Sequence, residues 1–175
     1  MRKSNELIGK TIVQQETGNK VAIVYDVIFD AEARNVLALL IETGGWFRDA
    51  RIVPWSRVTS IGDVILVRGD TPAVVKASES EVAGLMSQDP HITGVTIVSD
   101  TGEKVGTVGD LLIDDRGEVQ GYEVKQGRIH LSGHKFLPVD QVRAVGPDAV
   151  IAATTDLPSV KKAQREAGEP PAADH

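Results

Sequence analysis

The feature that most constrains this chain is that it says the same thing twice. Thr17, Gly18, Lys20, Val21, Val24, Asp26 and Asp30 recur as Thr101, Gly102, Lys104, Val105, Val108, Asp110 and Asp114, all at one offset of 84 residues and without a gap. Further along, Pro54, Val58 and Gly62 return at the same offset as Pro138, Val142 and Gly146. Between these blocks the offset slips to 83, pairing Val36 with Val119 and Ile41 with Val124. One turn is therefore a residue shorter in the second copy, and its next loop a residue longer. Indels confined to turns are the mark of a duplicated fold, and a repeat of this period dictates the architecture before any single element does.

Each copy reads as strands. Val21, Ile23, Tyr25, Val27 and Phe29 alternate with Ala22, Val24, Asp26, Ile28 and Asp30, a period of two over a β-branched run. Because Val24 and Ile28 make the second face apolar as well, burial on both sides is expected, which suits a small closed barrel. Residues 30–35 and 114–118 read as turns, with Val36–Thr43 and Val119–Gln126 as returning strands. Pro54 and Pro138 lack an amide donor and mark strand ends or edges. The expected organisation is a first barrel over 5–69, a linker over 70–92, a second barrel over 93–154 and a polar tail over 155–175. Ser78 and Glu81 have capping-box spacing, and Val82, Leu85 and Met86 share a helical face, predicting a short linker helix near 79–88 that Pro90 stops. Pro158 to Gly168 predicts one short polar helix before the tail.

Composition removes several kinds of chemistry. Among 175 residues there is no cysteine, so no disulfide, thiol nucleophile, cysteine zinc site or iron–sulfur cluster is available, and a reducing, cytoplasmic location is expected. No run approaches 18 apolar residues, so no membrane span is expected. The charged start, Met1 to Glu6, is not followed by the apolar stretch of a signal peptide. A net charge of −6 argues against wholesale nucleic-acid binding, and aromatics at 4% give little material for stacking bases.

The order and spacing of Gly9-Lys10-Thr11-Ile12-Val13, Gly18 to Val21, Val24 to Asp30 and Val53-Pro54-Trp55-Ser56-Arg57-Val58 resemble the PRC-barrel domain. That is the small β-barrel named for the H subunit of the photosynthetic reaction centre, also found as the C-terminal half of the ribosome maturation factor RimM. The second copy is similar to it through Gly94 to Val98, Gly102 to Gly106, Asp110 to Asp114, Leu137-Pro138 and Val150. The resemblance implies an all-β fold of two tandem small PRC-type barrels acting as a binding or assembly module. It implies no catalytic residues and no cofactor. A PRC-like unit already begins at Gly9, so neither the photosynthetic nor the ribosomal role transfers directly.

The residues themselves offer few alternatives. Asp26/Asp30 and Asp110/Asp114 lie four apart on strands, about 13 Å at ~3.3 Å per residue. That exceeds the ~5–9.5 Å of a glycosidase carboxylate pair. Asp30 and Asp114 read instead as turn residues accepting backbone amides. His130 and His134 have no third ligand of matching spacing, so no metal site is expected. No phosphate-cradling glycine motif is present.

The remaining signal lies in two loops that are basic within an acidic chain. The first carries Trp46, Phe47, Arg48 and Arg51, followed by Trp55. The second carries Arg128, His130, His134 and Lys135. Tryptophan and arginine together are anchor residues of protein interfaces. Trp55 has a second reading, as a plug at the barrel end. The expected function is thus a non-enzymatic adaptor or assembly protein that binds a protein partner or itself. The alternative is an RNA- or ribosome-associated maturation factor resembling RimM.

Overall fold

A computed structural model describes residues 1–42, 50–69, 73–86, 92–127 and 134–168. The chain divides into two compact units that follow the two repeats with two exchanges. One holds Lys3–Pro90 together with Asp115–Glu118, and the other holds Met1–Arg2, His91–Asp114 and Val119–His175.

The second unit shows the repeat in its simpler form. Its strands are β10 (Thr96–Ser99), β11 (Lys104–Ile113), β12 (Val119–Lys125), β13 (Lys135–Pro138), β14 (Val142–Val145) and β15 (Ala149–Ala152). They form one sheet in the order β13-β12-β11-β10-β15-β14, and β1 (Arg2–Lys3) adds to β11. The neighbours are antiparallel except β10 and β15, which run parallel. β11 spans ten residues and pairs with β10 through its first half and β12 through its second. One long bent strand therefore serves both halves of the barrel. Helix α2 (Val160–Glu166) follows, with Ser159 as its N-cap, accepting from the Lys162 amide at 3.2 Å.

The first unit has the same plan with the long strand broken. β3 (Lys20–Ile23) and β4 (Asp26–Phe29) occupy the positions of β11, interrupted at Val24 and Tyr25. Two sheets result. The first runs β3-β2-β8-β7, with β2 (Thr11–Gln14), β7 (Val58–Ile61) and β8 (Ile65–Val67). The second runs β4-β5-β6-β9, with β5 (Val36–Glu42), β6 (Arg51–Pro54) and β9 (Val75–Lys76). Again the partners of the parallel pair, β2 and β8, match β10 and β15 of the other repeat.

The two repeats also differ at a close approach of strands. At Gly106 in β11, a Cβ would lie 2.5 Å from the Lys125 carbonyl oxygen, so the close approach of β12 to the unbroken strand requires glycine. The first repeat carries Ala22 at that position, and its strand stops one residue later.

Burial corrects one expectation. Val24 and Ile28 are buried as the barrel reading requires, but the face carrying Ile23 and Tyr25 is open to solvent, with Tyr25 60% and Ile23 47% exposed. The apolar interior of this unit comes from Leu7, Ile12, Val24, Leu39, Ile52, Val53, Ile65 and Val67. That of the other comes from Ile97, Val108, Leu111, Ile113, Tyr122, Val124, Leu137 and Val150.

The segments read as linker and tail are both built into the sheets. β9 pairs with β6 through Arg51–Lys76 and Ile52–Val75, and leads into a 3-10 turn over Ala77–Glu79 and α1 (Ala83–Met86). In the second unit, Lys135 bridges Ser159. The predicted helices are thus present, the first as a 3-10 turn and one short α-turn within 77–86.

Candidate interaction surfaces

The carboxylates shared by both repeats accept local hydrogen bonds. Asp26 Oδ1 accepts from the Val27 amide at 2.7 Å, and its equivalent Asp110 accepts from Leu111 at 2.8 Å. Asp30 accepts from the Arg34 amide at 2.7 Å and the Asn35 side chain at 2.8 Å, closing the turn as its position in the sequence implies. Asp114 accepts from Gln120 Nε2 at 3.2 Å. Among the described residues, no group of three or more histidine and carboxylate side chains could hold a metal ion.

The two basic loops are only partly within view. Trp46, Phe47 and Arg48 of the first, and Arg128 and His130 of the second, lie outside the described residues. Arg51 opens β6 and is exposed, its Cα paired with Glu42 on one side and Lys76 on the other. Lys135 opens β13 opposite Val124.

Trp55 sits in a 3-10 turn over Trp55–Arg57, and its indole is engaged within its own compact unit. Its Nε1 donates to the Arg116 carbonyl at 2.6 Å. A Cβ at Gly117 would stand 2.3 Å from the same nitrogen, so the turn Asp115–Glu118 lies directly on the ring. The Val36 amide donates to the Gly117 carbonyl at 2.8 Å, and Asn35 bridges Glu118. Asn35 and Glu118 are equivalent positions of the duplication. The tryptophan thus fastens the hairpin turn of the second repeat to the unit built on the first.

His134 is brought to Glu123 on the neighbouring strand, with Nδ1 2.8 Å from Oε1 and the carboxylate buried. Burying a carboxylate is costly unless a donor or opposite charge accompanies it. The sequence carried a signal for this pair: Glu123 aligns with Leu40 and His134 with Ala50, so both partners turn polar together in the second copy. The exposed apolar residues of the first repeat have the converse pattern. Ile8, Ile23 and Tyr25 are open to solvent where the second repeat has Thr93, Thr107 and Gly109.

The two-copy organisation agrees with an independent comparison. The PRC-barrel domain profile matches twice, over residues 1–73 and 86–157. The chain belongs to the PRC-barrel family. It is a tandem member, with each copy supplying most of one compact unit. Comparison with curated proteins gave no match. Among the described residues, no helix of this PRC-barrel protein is long and apolar enough to cross a membrane.

Proposed function

We propose that this tandem PRC-barrel protein is a non-catalytic binding module that recognises a protein partner through the first repeat. The observation that carries the reading is the solvent-facing apolar set Ile8, Ile23 and Tyr25. Large apolar side chains grouped on a surface mark interaction sites, and tyrosine is enriched in them. Ile23 and Tyr25 flank the buried Val24, which locks to the preceding segment by two bonds. The Gly9 amide donates to its carbonyl at 2.8 Å, and its own amide donates to the Lys10 carbonyl at 3.0 Å. Backbone bonds at Val24 and Tyr25 therefore hold the short link between β3 and β4 that carries both side chains, keeping the entropy lost on binding small. The Tyr25 amide donates to the Leu40 carbonyl at 2.7 Å, so Tyr25 lies beside the end of β5 from which the loop bearing Trp46, Phe47 and Arg48 departs. Trp46, Phe47, Arg48 and Arg51 are proposed to contribute to the same interaction on the strength of their residue types alone. His134 and Lys135, with Arg128 and His130 of the second loop, are their counterparts in the other repeat.

Affinity capture with the full chain tests the reading. The Ile23→Asp/Tyr25→Asp variant is expected to retain its fold and lose a partner that the parent captures. Unchanged capture overturns the surface assignment. A salt-dependent shift on titration with RNA, abolished by reversing Arg48 and Arg51, would instead support the maturation-factor reading.

A further inference from the structure

Both repeats carry a closing strap on the same edge, and the two straps are held unequally. In the first repeat, the Ala77 amide donates to the Ala50 carbonyl at 2.8 Å, and β9 forms a two-residue ladder on β6. In the second, the Val160 amide donates to the His134 carbonyl at 3.0 Å, the Phe136 amide donates to the Pro158 carbonyl at 2.8 Å, and a single bridge joins Lys135 to Ser159. Ala50 and His134 are equivalent, so the bonding plan is the same.

The floor beneath the straps differs. Strap one seats Ala77 and Val82, 1% and 0% exposed, on Ile28, Ala38, Leu40, Ala50 and Ile52. Strap two seats Val160 and Ala163, each 9% exposed, on Leu112 and Phe136. Across that floor Leu40 has become Glu123, Ala50 has become His134, and the Phe136 ring lies on Gly121 where the first repeat has Ala38. Glu123 stands directly opposite Phe136 in the ladder, on the same face. Two of the five apolar seat positions, Leu40 and Ala50, have therefore been exchanged for a hydrogen-bonded carboxylate and imidazole. A seven-residue helix has little stability of its own in water, so α2 depends on this seat.

We propose that the β13 edge with Leu112 and Phe136 is a docking site for a linear peptide, and that residues 157–166 are its resident, displaceable occupant. The proposal rests on the reading of the chain as a binding module and names a second surface of it. The resident segment gives the chemistry of the ligand. An extended stretch adds to the strand edge through its backbone. A helical turn follows, with small apolar side chains three apart, as in Val160 and Ala163, and basic residues beside them, as in Lys161, Lys162 and Arg165. Such a basic segment suits a chain of net charge −6. An intramolecular strap competes at an effective concentration set by its short tether, so a partner engages the site only by outcompeting it.

The test uses the full chain and a fluorescent synthetic peptide of residues 155–168. The Val160→Asp/Ala163→Asp chain, whose own strap is unseated, is expected to bind the parent peptide at least about tenfold more tightly than the unsubstituted chain does. A peptide carrying Val160→Asp is expected not to bind. In the unsubstituted chain, the Val160 amide is expected to exchange its hydrogen at least about tenfold faster than the Ala77 amide. Equal protection at these two amides overturns the proposal, as does a strap-released chain that keeps its β-sheet signal without binding the peptide. A released chain that unfolds shows the strap to be integral and also overturns it. None of these outcomes depends on Ile23 and Tyr25, so capture by the first repeat stands or falls separately.

Discussion

The two repeats spend their polar and apolar residues on opposite faces. At three equivalent positions around the strap, the first repeat has Ala38, Leu40 and Ala50, all buried, and the second has Gly121, Glu123 and His134. On the outward strand the order reverses: the first repeat exposes Ile23 and Tyr25 where the second has Thr107 and Gly109. One fold has been kept twice while its surfaces and seats have diverged. The scaffold positions, such as Asp26 and Asp110, are those that satisfy the backbone. The diverged positions are those that set each repeat's outward face and the seat of its strap.

Exchanging the seats breaks the comparison most forcefully. Leu40→Glu places a carboxylate in the first repeat without the histidine that accompanies it in the second, and is expected to cost about 3–5 kcal/mol in denaturant unfolding. Adding Ala50→His should return about 0.5–3 kcal/mol as a coupling energy in a double-mutant cycle. Strict additivity would show that the paired change is incidental. The unbroken strand gives the next largest effect. Gly106→Ala drives a Cβ into the Lys125 carbonyl and is expected to cost about 1–3 kcal/mol. The reverse change, Ala22→Gly, should cost no more than about 1 kcal/mol. Similar losses at the two sites would mean that close strand approach does not distinguish the repeats.

Trp55→Phe keeps an aromatic ring but removes the donor to Arg116, and should cost about 1 kcal/mol. It should also raise hydrogen exchange at the Val36 amide, which the same turn holds. The smallest effect belongs to the turns. Ala33 adopts φ of 50° where its equivalent Gly117 has 84°. Ala33→Gly is therefore expected to be neutral or to stabilise by about 1 kcal/mol, an unusual sign for a buried alanine. A clear loss of melting temperature would show that the methyl group contributes more than the backbone strain.

The duplication, the all-β class and the barrel were legible because backbone needs recur wherever the fold recurs. Asp30 could be read as a turn residue from its place after an apolar strand, and its two accepted bonds follow from that place. What the sequence concealed is what depends on distant partners. Trp55 lies in a stretch that reads more readily as a barrel plug than as interface, and only the fold shows Arg116 and Gly117 upon it. The strap over 157–166 reads as a polar tail because its buried residues, Leu157, Val160, Ala163 and Gln164, are scattered among charged ones and include a polar side chain. The Glu123–His134 pair was visible only as a joint departure from Leu40 and Ala50, which has meaning once β12 and β13 are known to lie side by side. The exposure of Tyr25 escaped the alternation pattern, since a period of two separates two faces without saying which one meets solvent.

The central claim is that the first repeat meets its partner through Ile23 and Tyr25, positions at which its twin has Thr107 and Gly109. Cross-linking through Lys10 and Lys20 after affinity capture addresses it most directly, read against the matching positions of the second repeat. Partner cross-links are expected to concentrate at Lys10 and Lys20 and to be lost in the Ile23→Asp/Tyr25→Asp chain. Cross-links that instead fall on Lys104 and avoid the first repeat, unchanged by that substitution, would contradict it.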